Sequence, residues 1–167
     1  MKIELAKTEV IHFVGIGGIG MSGLSLIMKA KGFKIQGSDL NLNKNVERLK
    51  KEKIKVFISQ KKQNLKNATI IVISSAIKKN NPELIEAKRK NLPIISRGKM
   101  LAHIVSLTKN IVVVGSHGKT TTTSLIASIF QKTRLDPTII NGGVINSIGN
   151  TARLGKSDWS ILEADES

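Results

Sequence analysis

The stretch VIHFVGIGGIGMSG, residues 10–23, decides the fold. VIHFV is an apolar, β-branched run of strand length, and the glycines that follow it lead into a segment of helical spacing from about Met21 to Lys31, with Gly32 placed to end that helix. Gly15-Ile16-Gly17-Gly18-Ile19-Gly20 satisfies G-x-G-x-x-G. In that pattern Gly15 permits the tight turn, Gly17 lets backbone approach a diphosphate, and Gly20 lets helix and strand pack closely. The helix start, with Gly18 beside it, offers free N–H groups and positive potential to an anion. Asp39, in GSDL, ends the second strand, where an acid bonds a ribose hydroxyl. The fingerprint taken alone suggests NAD(P), and does not identify the base.

Outward from this stretch, apolar runs alternate with helical segments, the signature of a parallel α/β sheet. Strands are expected at 33–37 (FKIQG), 55–58 (KVFI) and 68–74 (ATIIVIS), with PII after Pro93 as a further one. Helices are expected around Val46–Lys51, from Pro82 onward with Leu84, Ile85 and Lys88 at helical spacing, and over Lys99–Leu107. A second buried-strand run, NIVVVG at 110–115, enters SHGKTTTTSLIASIF and restarts the strand–glycine–helix pattern. The boundary is therefore expected near Thr108–Asn110. Residues 1–108 form a Rossmann-like parallel-sheet domain, and residues 109–167 the first part of a P-loop α/β domain that is expected to be incomplete.

In the second loop, Gly115-Ser116-His117-Gly118-Lys119-Thr120-Thr121, backbone N–H groups can wrap phosphates, Lys119 can reach terminal phosphates, and the Thr120 hydroxyl can hold magnesium. The loop departs from G-x-x-x-x-G-K-[ST] because Val113 stands where the first glycine belongs. His117 beside phosphates is read as shaping the loop, with general-base catalysis as the lesser reading. WSILEADES, 159–167, ends a strand with Glu163, Asp165 and Glu166, anionic oxygens of the kind that magnesium needs.

Composition narrows the function classes. The 167 residues are 40% hydrophobic, enough for a core, and contain no cysteine, which excludes disulfides and thiolate metal sites. Aromatics are 3%, which counts against base-stacking nucleic-acid modules. The formal charge is +15, from 27 Lys and Arg against 12 Asp and Glu, but it is dispersed in short clusters such as 50–51, 61–62, 78–79 and 88–90. It reads as a solvated lysine-rich surface and not as a nucleic-acid face. Neither a leader nor a membrane-spanning run is visible, so a cytoplasmic protein with no nucleic-acid and no membrane partner is expected.

Several short motifs stand in the order found in one family: GIGGIGMSG (15–23), GSDL (37–40), VISSAI (72–77) with NPEL (81–84), GSHGKTTTT (115–123), LDPT (135–138), INGG (140–143), ARLG (152–155) and EADES (163–167). On these the chain resembles the Mur ligases of peptidoglycan synthesis, in the form that joins L-alanine to UDP-N-acetylmuramate. The resemblance covers essentially the whole chain, and the short Gly-Lys-Thr loop is ordinary in that family. It implies a UDP-sugar site at Gly15, Gly17, Gly18, Gly20, Ser38, Asp39, Ser75 and Asn81, and an ATP site at Gly115, Ser116, His117, Gly118, Lys119, Thr120 and Thr121. It further implies magnesium (Mg2+) on Thr120 and Glu163, with Lys119, Thr120 and Glu163 as the catalytic set.

The implied reaction phosphorylates the sugar's lactyl carboxylate with ATP and lets the amine of L-alanine attack the acyl phosphate. The amino-acid site would lie in a further domain, so this chain is expected to bind without catalysing. Gln60 and Lys99 stand where the family usually carries a histidine and an acid, and Ser116 where it carries a threonine, while Arg97 is retained. Three rivals remain: a sister ligase adding a recycled tripeptide, an NAD(P)-dependent oxidoreductase, and a basic nucleic-acid-binding module. Oligomeric state is not legible in these residues.

Overall fold

The computed structural model describes residues 5–133, 135–145, 150–153, 155 and 157–163. The chain divides into two compact units, Met1–His103 and Ile104–Ser167. The division falls inside a helix, Arg97–Ser106, a few residues before the boundary expected at 108.

The first unit contains β1 (Val10–Val14), α1 (Ile19–Ala30), β2 (Lys34–Asp39), α2 (Lys44–Lys51), β3 (Lys55–Ile58), a short 3-10 helix (Lys62–Leu65), β4 (Ile70–Ile73), α3 (Pro82–Arg89), β5 (Ile94–Ser96) and the start of α4 (Arg97–Ser106). Its five strands run parallel in the order β3-β2-β1-β4-β5. The oldest strand in sequence is thus the middle of the sheet. β1 is buried at Ile11, His12, Phe13 and Val14, as a strand covered on both faces must be. On one face Val14 and Ile71 pack with Leu65, Ala68 and Ala87 under the 3-10 helix and α3. Burying side chains of this size contributes about 1.5–3 kcal/mol each before entropy is subtracted.

Local chemistry explains the element ends. Gly32 adopts φ +88° just past α1, the left-handed conformation in which a helix commonly stops. Asn43 caps α2 by accepting from Val46 N–H at 3.0 Å, which starts that helix two residues before the expected Val46. α1 likewise begins at Ile19, inside the glycine run, and not at Met21. β2 extends to Asp39, past the expected end at Gly37.

The second unit contains β6 (Lys109–Val113), α5 (Lys119–Lys132), β7 (Thr138–Ile145), β8 (Asn150–Arg153) and β9 (Trp159–Glu163). Its sheet order is β6-β9-β7-β8. β6 and β7 both run parallel to β9, while β8 pairs antiparallel with β7. Val113, Ala127, Ile139 and Ile161 form its core, with Ile111, Ile126 and Phe130 against them. Ile111 and Val113 belong to β6, Ala127 to α5 and Ile161 to β9, so this core joins the glycine-loop helix directly to the sheet.

Candidate nucleotide-binding loops

In a parallel sheet the ligand crevice lies at the carboxyl ends of the strands. At that end of β1 the chain turns at Gly15, φ +76°, a conformation that favours glycine. Gly15 and Ile16 N–H both donate to the Ser38 carbonyl, at 2.8 and 2.9 Å, and Gly18 N–H donates to the Gly15 carbonyl at 3.2 Å. Gly18 is the N-cap of α1 and makes no side-chain cap, so no side chain of the cap stands between the positive end of the helix and an anion.

Two glycines have a further reason beside the one expected. A Cβ on Gly17 would lie 2.7 Å from Val46 Cγ2 and 2.8 Å from both Asn43 Nδ2 and Asp39 Oδ2. The group that crowds Gly17 is therefore protein, drawn in because Asp39 Oδ2 accepts from Gly17 N–H at 2.8 Å and Asn45 Nδ2 donates to the Gly17 carbonyl at 2.9 Å. A Cβ on Gly20 would collide with the Arg97 guanidinium, the group nearest to it. The structure also brings out Gly37, which the fingerprint ignores. A side chain there would meet Ile16 Cδ1 and the Phe13 carbonyl at 2.6 Å.

The remaining sugar-site candidates divide. Asp39 joins the loop, its second oxygen accepting from Asn41 N–H at 3.2 Å. Ser38 is fully buried, with its hydroxyl donating to Glu83 Oε2 at 2.5 Å, so it meets the loop through its carbonyl alone. Asn81 caps α3, accepting from Glu83 and Leu84 N–H at 2.9 and 3.2 Å, and its amide donates to Gln60 Oε1 at 2.7 Å. Asn81 and Gln60, separated in sequence, are thus one hydrogen-bonded pair. Ser75 lies exposed in the turn after β4. Lys99 is exposed on α4.

The second loop follows β6. Gly115 (φ +151°) and Gly118 (φ +76°) both lie in the region that favours glycine, and Gly118 is the N-cap of α5 with no side-chain cap. Lys119, the first residue of the helix, folds back so that Nζ donates to the Gly115 carbonyl at 2.5 Å. Its ammonium thus sits over the loop itself, where a phosphate would compete with one carbonyl for it. Ser116, His117, Thr120 and Thr121 are exposed.

The β6–β9 register sets Glu163 opposite Val113, two residues before Gly115, so one carboxylate stands at the sheet edge from which the loop springs. Asp165 and Glu166 lie outside the described residues. An ammonium, an uncapped helix start, a threonine hydroxyl and one carboxylate are a donor set that suits a nucleotide triphosphate with its magnesium. Among the described residues no cluster of three or more His, Cys, Asp or Glu could hold a metal by itself, and no helix is long and apolar enough to cross a membrane.

Comparison with known proteins identifies related chains. The profile described as "Mur ligase family, catalytic domain" matches residues 10–109, which end before the second loop. The UDP-N-acetylmuramate--L-alanine ligase of Pelagibacter ubique is 78% identical over all 167 residues, and that of Brucella ovis 51%. The chain covers 36% and 35% of these two relatives, so it spans about a third of the length of the curated proteins it matches. Among solved structures, UDP-N-acetylmuramate-alanine ligase from Thermotoga maritima superposes with a TM-score of 0.76 at 29% identity, covering 92% of this chain and 36% of that one. UDP-N-acetylmuramate:L-alanyl-gamma-D-glutamyl-meso-diaminopimelate ligase from Neisseria meningitides gives 0.77 at 31%, covering 95% and 53%. The family profile spans more than half of the residues, and the chain belongs to the Mur ligase family.

Proposed function

We propose that the chain is the sugar-nucleotide-binding and ATP-binding portion of a cytoplasmic ligase that joins L-alanine to the lactyl carboxylate of UDP-N-acetylmuramate. The observation that carries this reading is the pair of strand–glycine–helix turns in one chain, the second bearing Lys119. The 78% identity to an alanine-adding relative supports the choice of amino acid. Residues 1–108 receive the UDP-sugar, and residues 109–167 contribute to the ATP site.

In this reading the first loop takes the diphosphate at the start of α1. Gly15, Gly17, Gly18, Gly20, Ser38, Asp39, Ser75 and Asn81 form or support that site. Ser38 and Asn81 act through the loops they fasten. Residues Gly115–Thr121 wrap the ATP phosphates, and Thr120 and Glu163 would hold magnesium, which when bound neutralises phosphate charge. Lys119 leaves the Gly115 carbonyl and follows the negative charge that spreads as the phosphoryl group transfers. Activating a carboxylate in this way gives it a leaving group, and what the protein adds is positioning and charge neutralisation.

The structural likeness to the Neisseria ligase favours a second reading, a tripeptide-adding enzyme on the same sugar nucleotide. Both readings share the UDP-sugar and ATP sites. Calorimetric titration of the chain with UDP-N-acetylmuramate, ATP with magnesium, and NADH tests the common core. Binding of the first two and not the third is expected, and binding of NADH alone would overturn it. Comparing L-alanine with the tripeptide as acceptors in the complete enzyme separates the two ligases.

A further inference from the structure

One face of the first sheet carries polar side chains where a buried strand would ordinarily be apolar. The register pairs His12 with Gln36 and Val14 with Ser38, so His12, Gln36 and Ser38 point to the same side. All three are buried, and α3 lays Glu83 over them, itself fully inaccessible. Glu83 Oε2 accepts from the Ser38 hydroxyl at 2.5 Å, and Oε1 from Asn64 Nδ2 at 2.6 Å. Gln36 Nε2 donates to the Asn64 carbonyl at 3.0 Å and lies 3.1 Å from His12 Nδ1. An amide nitrogen can only donate, so Nδ1 is the acceptor and the ring proton sits on Nε2. That nitrogen lies 3.4 Å from Glu83 Oε2 without completing a hydrogen bond, so the bonded partners of the carboxylate are Ser38 and Asn64. Burying a carboxylate is costly unless such partners surround it, and the first turn of α3 adds a favourable field.

The cluster reaches three loops at the sheet's carboxyl edge. Through Ser38 it holds the loop after β1, because the Ser38 carbonyl receives the Gly15 and Ile16 N–H groups. Through Asn64, whose amide also donates to the Ser59 carbonyl at 2.7 Å, it holds the loop after β3. Through its own backbone Glu83 is fastened to Asn81, and Asn81 to Gln60, which ties the loop after β4 to the same group. An apolar core would stabilise the domain at least as well as a buried carboxylate does. What a carboxylate offers, and an apolar side chain does not, is two acceptor oxygens that fix separate segments at once. We propose that Glu83 is a positioning residue, whose carboxylate fastens the loops after β1 and β3, beside the Asn81 that its backbone N–H holds, in the arrangement that the sugar nucleotide requires. This rests on the UDP-sugar reading of the first loop.

The test uses the whole chain and two variants, Glu83→Gln and the milder Ser38→Ala. Glu83→Gln keeps the shape but turns an NH2 toward a donor. Amide hydrogen exchange at Gly15, Ile16 and Asn64 should quicken at least about tenfold in Glu83→Gln, and less in Ser38→Ala, while Met28 and Leu49 in α1 and α2 stay within about twofold of wild type. The dissociation constant for UDP-N-acetylmuramate should rise at least about tenfold, with that for ATP unchanged. Loop exchange unchanged in both variants overturns the proposal, and so does faster exchange spread equally over α1 and α2, which marks a purely structural role. Localised loop loosening with unaltered UDP-N-acetylmuramate affinity also overturns it. If Glu83→Gln does not fold, Ser38→Ala decides on the same criteria. If wild type itself fails to bind UDP-N-acetylmuramate, the substrate reading fails, while the exchange pattern still decides whether Glu83 fastens the loops.

Discussion

At Gly17 an added Cβ would press on Val46, Asn43 and Asp39 within 2.8 Å, whereas at Gly118 it would meet nothing within 4 Å. The two glycine loops share a strand–turn–helix plan but are finished differently. The first is gripped by its own domain, through Asp39 on the Gly17 N–H and Asn45 on the Gly17 carbonyl, with Arg97 filling the space beside Gly20. The second is held by backbone conformation and by the side-chain bond from Lys119 to Gly115. A glycine can be required because something is packed against it, or because of the φ it adopts. The first loop needs Gly17 for the former reason, the second needs Gly118 for the latter, and the two reasons fail differently on mutation.

The largest effect is expected from Gly17→Val. It should abolish UDP-N-acetylmuramate binding and also lower unfolding stability by about 1–3 kcal/mol, the usual cost of overpacking. Calorimetry and denaturant melts check both, and unchanged UDP affinity with the fold intact would remove Gly17 from the site. Next is Lys119→Ala, which in the complete enzyme should cut turnover by about 100-fold or more. The variant's melting curve should match wild type, since the side chain makes one bond to its own loop. Turnover within a factor of two would make the lysine structural.

Gly118→Ala should cost about 1–2 kcal/mol, because a left-handed φ of +76° disfavours any Cβ even in open space. Its signature is lost stability in the second unit with UDP-N-acetylmuramate binding unaltered; a neutral melt would show that the loop relaxes.

The smallest effect lies away from both loops. The Arg89 guanidinium, bonded to Glu86 through two nitrogens at 2.8 Å, holds that carboxyl below its usual 4.5, with burial pulling the other way. A lowered value means that the pair's stabilisation is present above the ordinary carboxylate range and is lost as pH falls through the lowered one. In Arg89→Ala the Glu86 titration, followed by carboxyl NMR, should move back up while both nucleotide affinities stay put.

Much of this was legible because the local chemistry is emphatic. β1, β3 and β4 are apolar runs bounded by turn residues, and Pro82 begins α3 as expected. β7 was missed, since Gly142 and Gly143 interrupt an otherwise apolar strand and weaken its pattern. On α3 the helical spacing of Leu84, Ile85 and Lys88 does not mark one buried face, since of these only Leu84 is buried. Ile85 was taken as part of the helical apolar spacing, yet it is 53% exposed, while Glu83 is sealed inside. Periodicity could not reveal that, because the sheet face beneath Glu83 is itself polar. The signal was present in His12 and Gln36, polar residues set at strand spacing inside IHFV and KIQG. Side-chain bonds across distant segments, such as Asn81 to Gln60, carry no local mark at all.

The strand order has a consequence for how the protein is made. Of the five strands of its sheet β1 leaves the ribosome first, yet it ends as the central one, flanked by β2 and β4. β2 follows closely, but the first residue of β4, Ile70, is translated 56 residues after Val14, so at about 5–20 residues per second the far edge of β1 stays unpaired for about 3–11 s. During that interval a nascent chain displays a bare apolar edge, the feature that invites chain-to-chain pairing. Synonymous codons that slow synthesis between Val14 and Ile70 should therefore lower soluble yield more than the same pauses placed after β5.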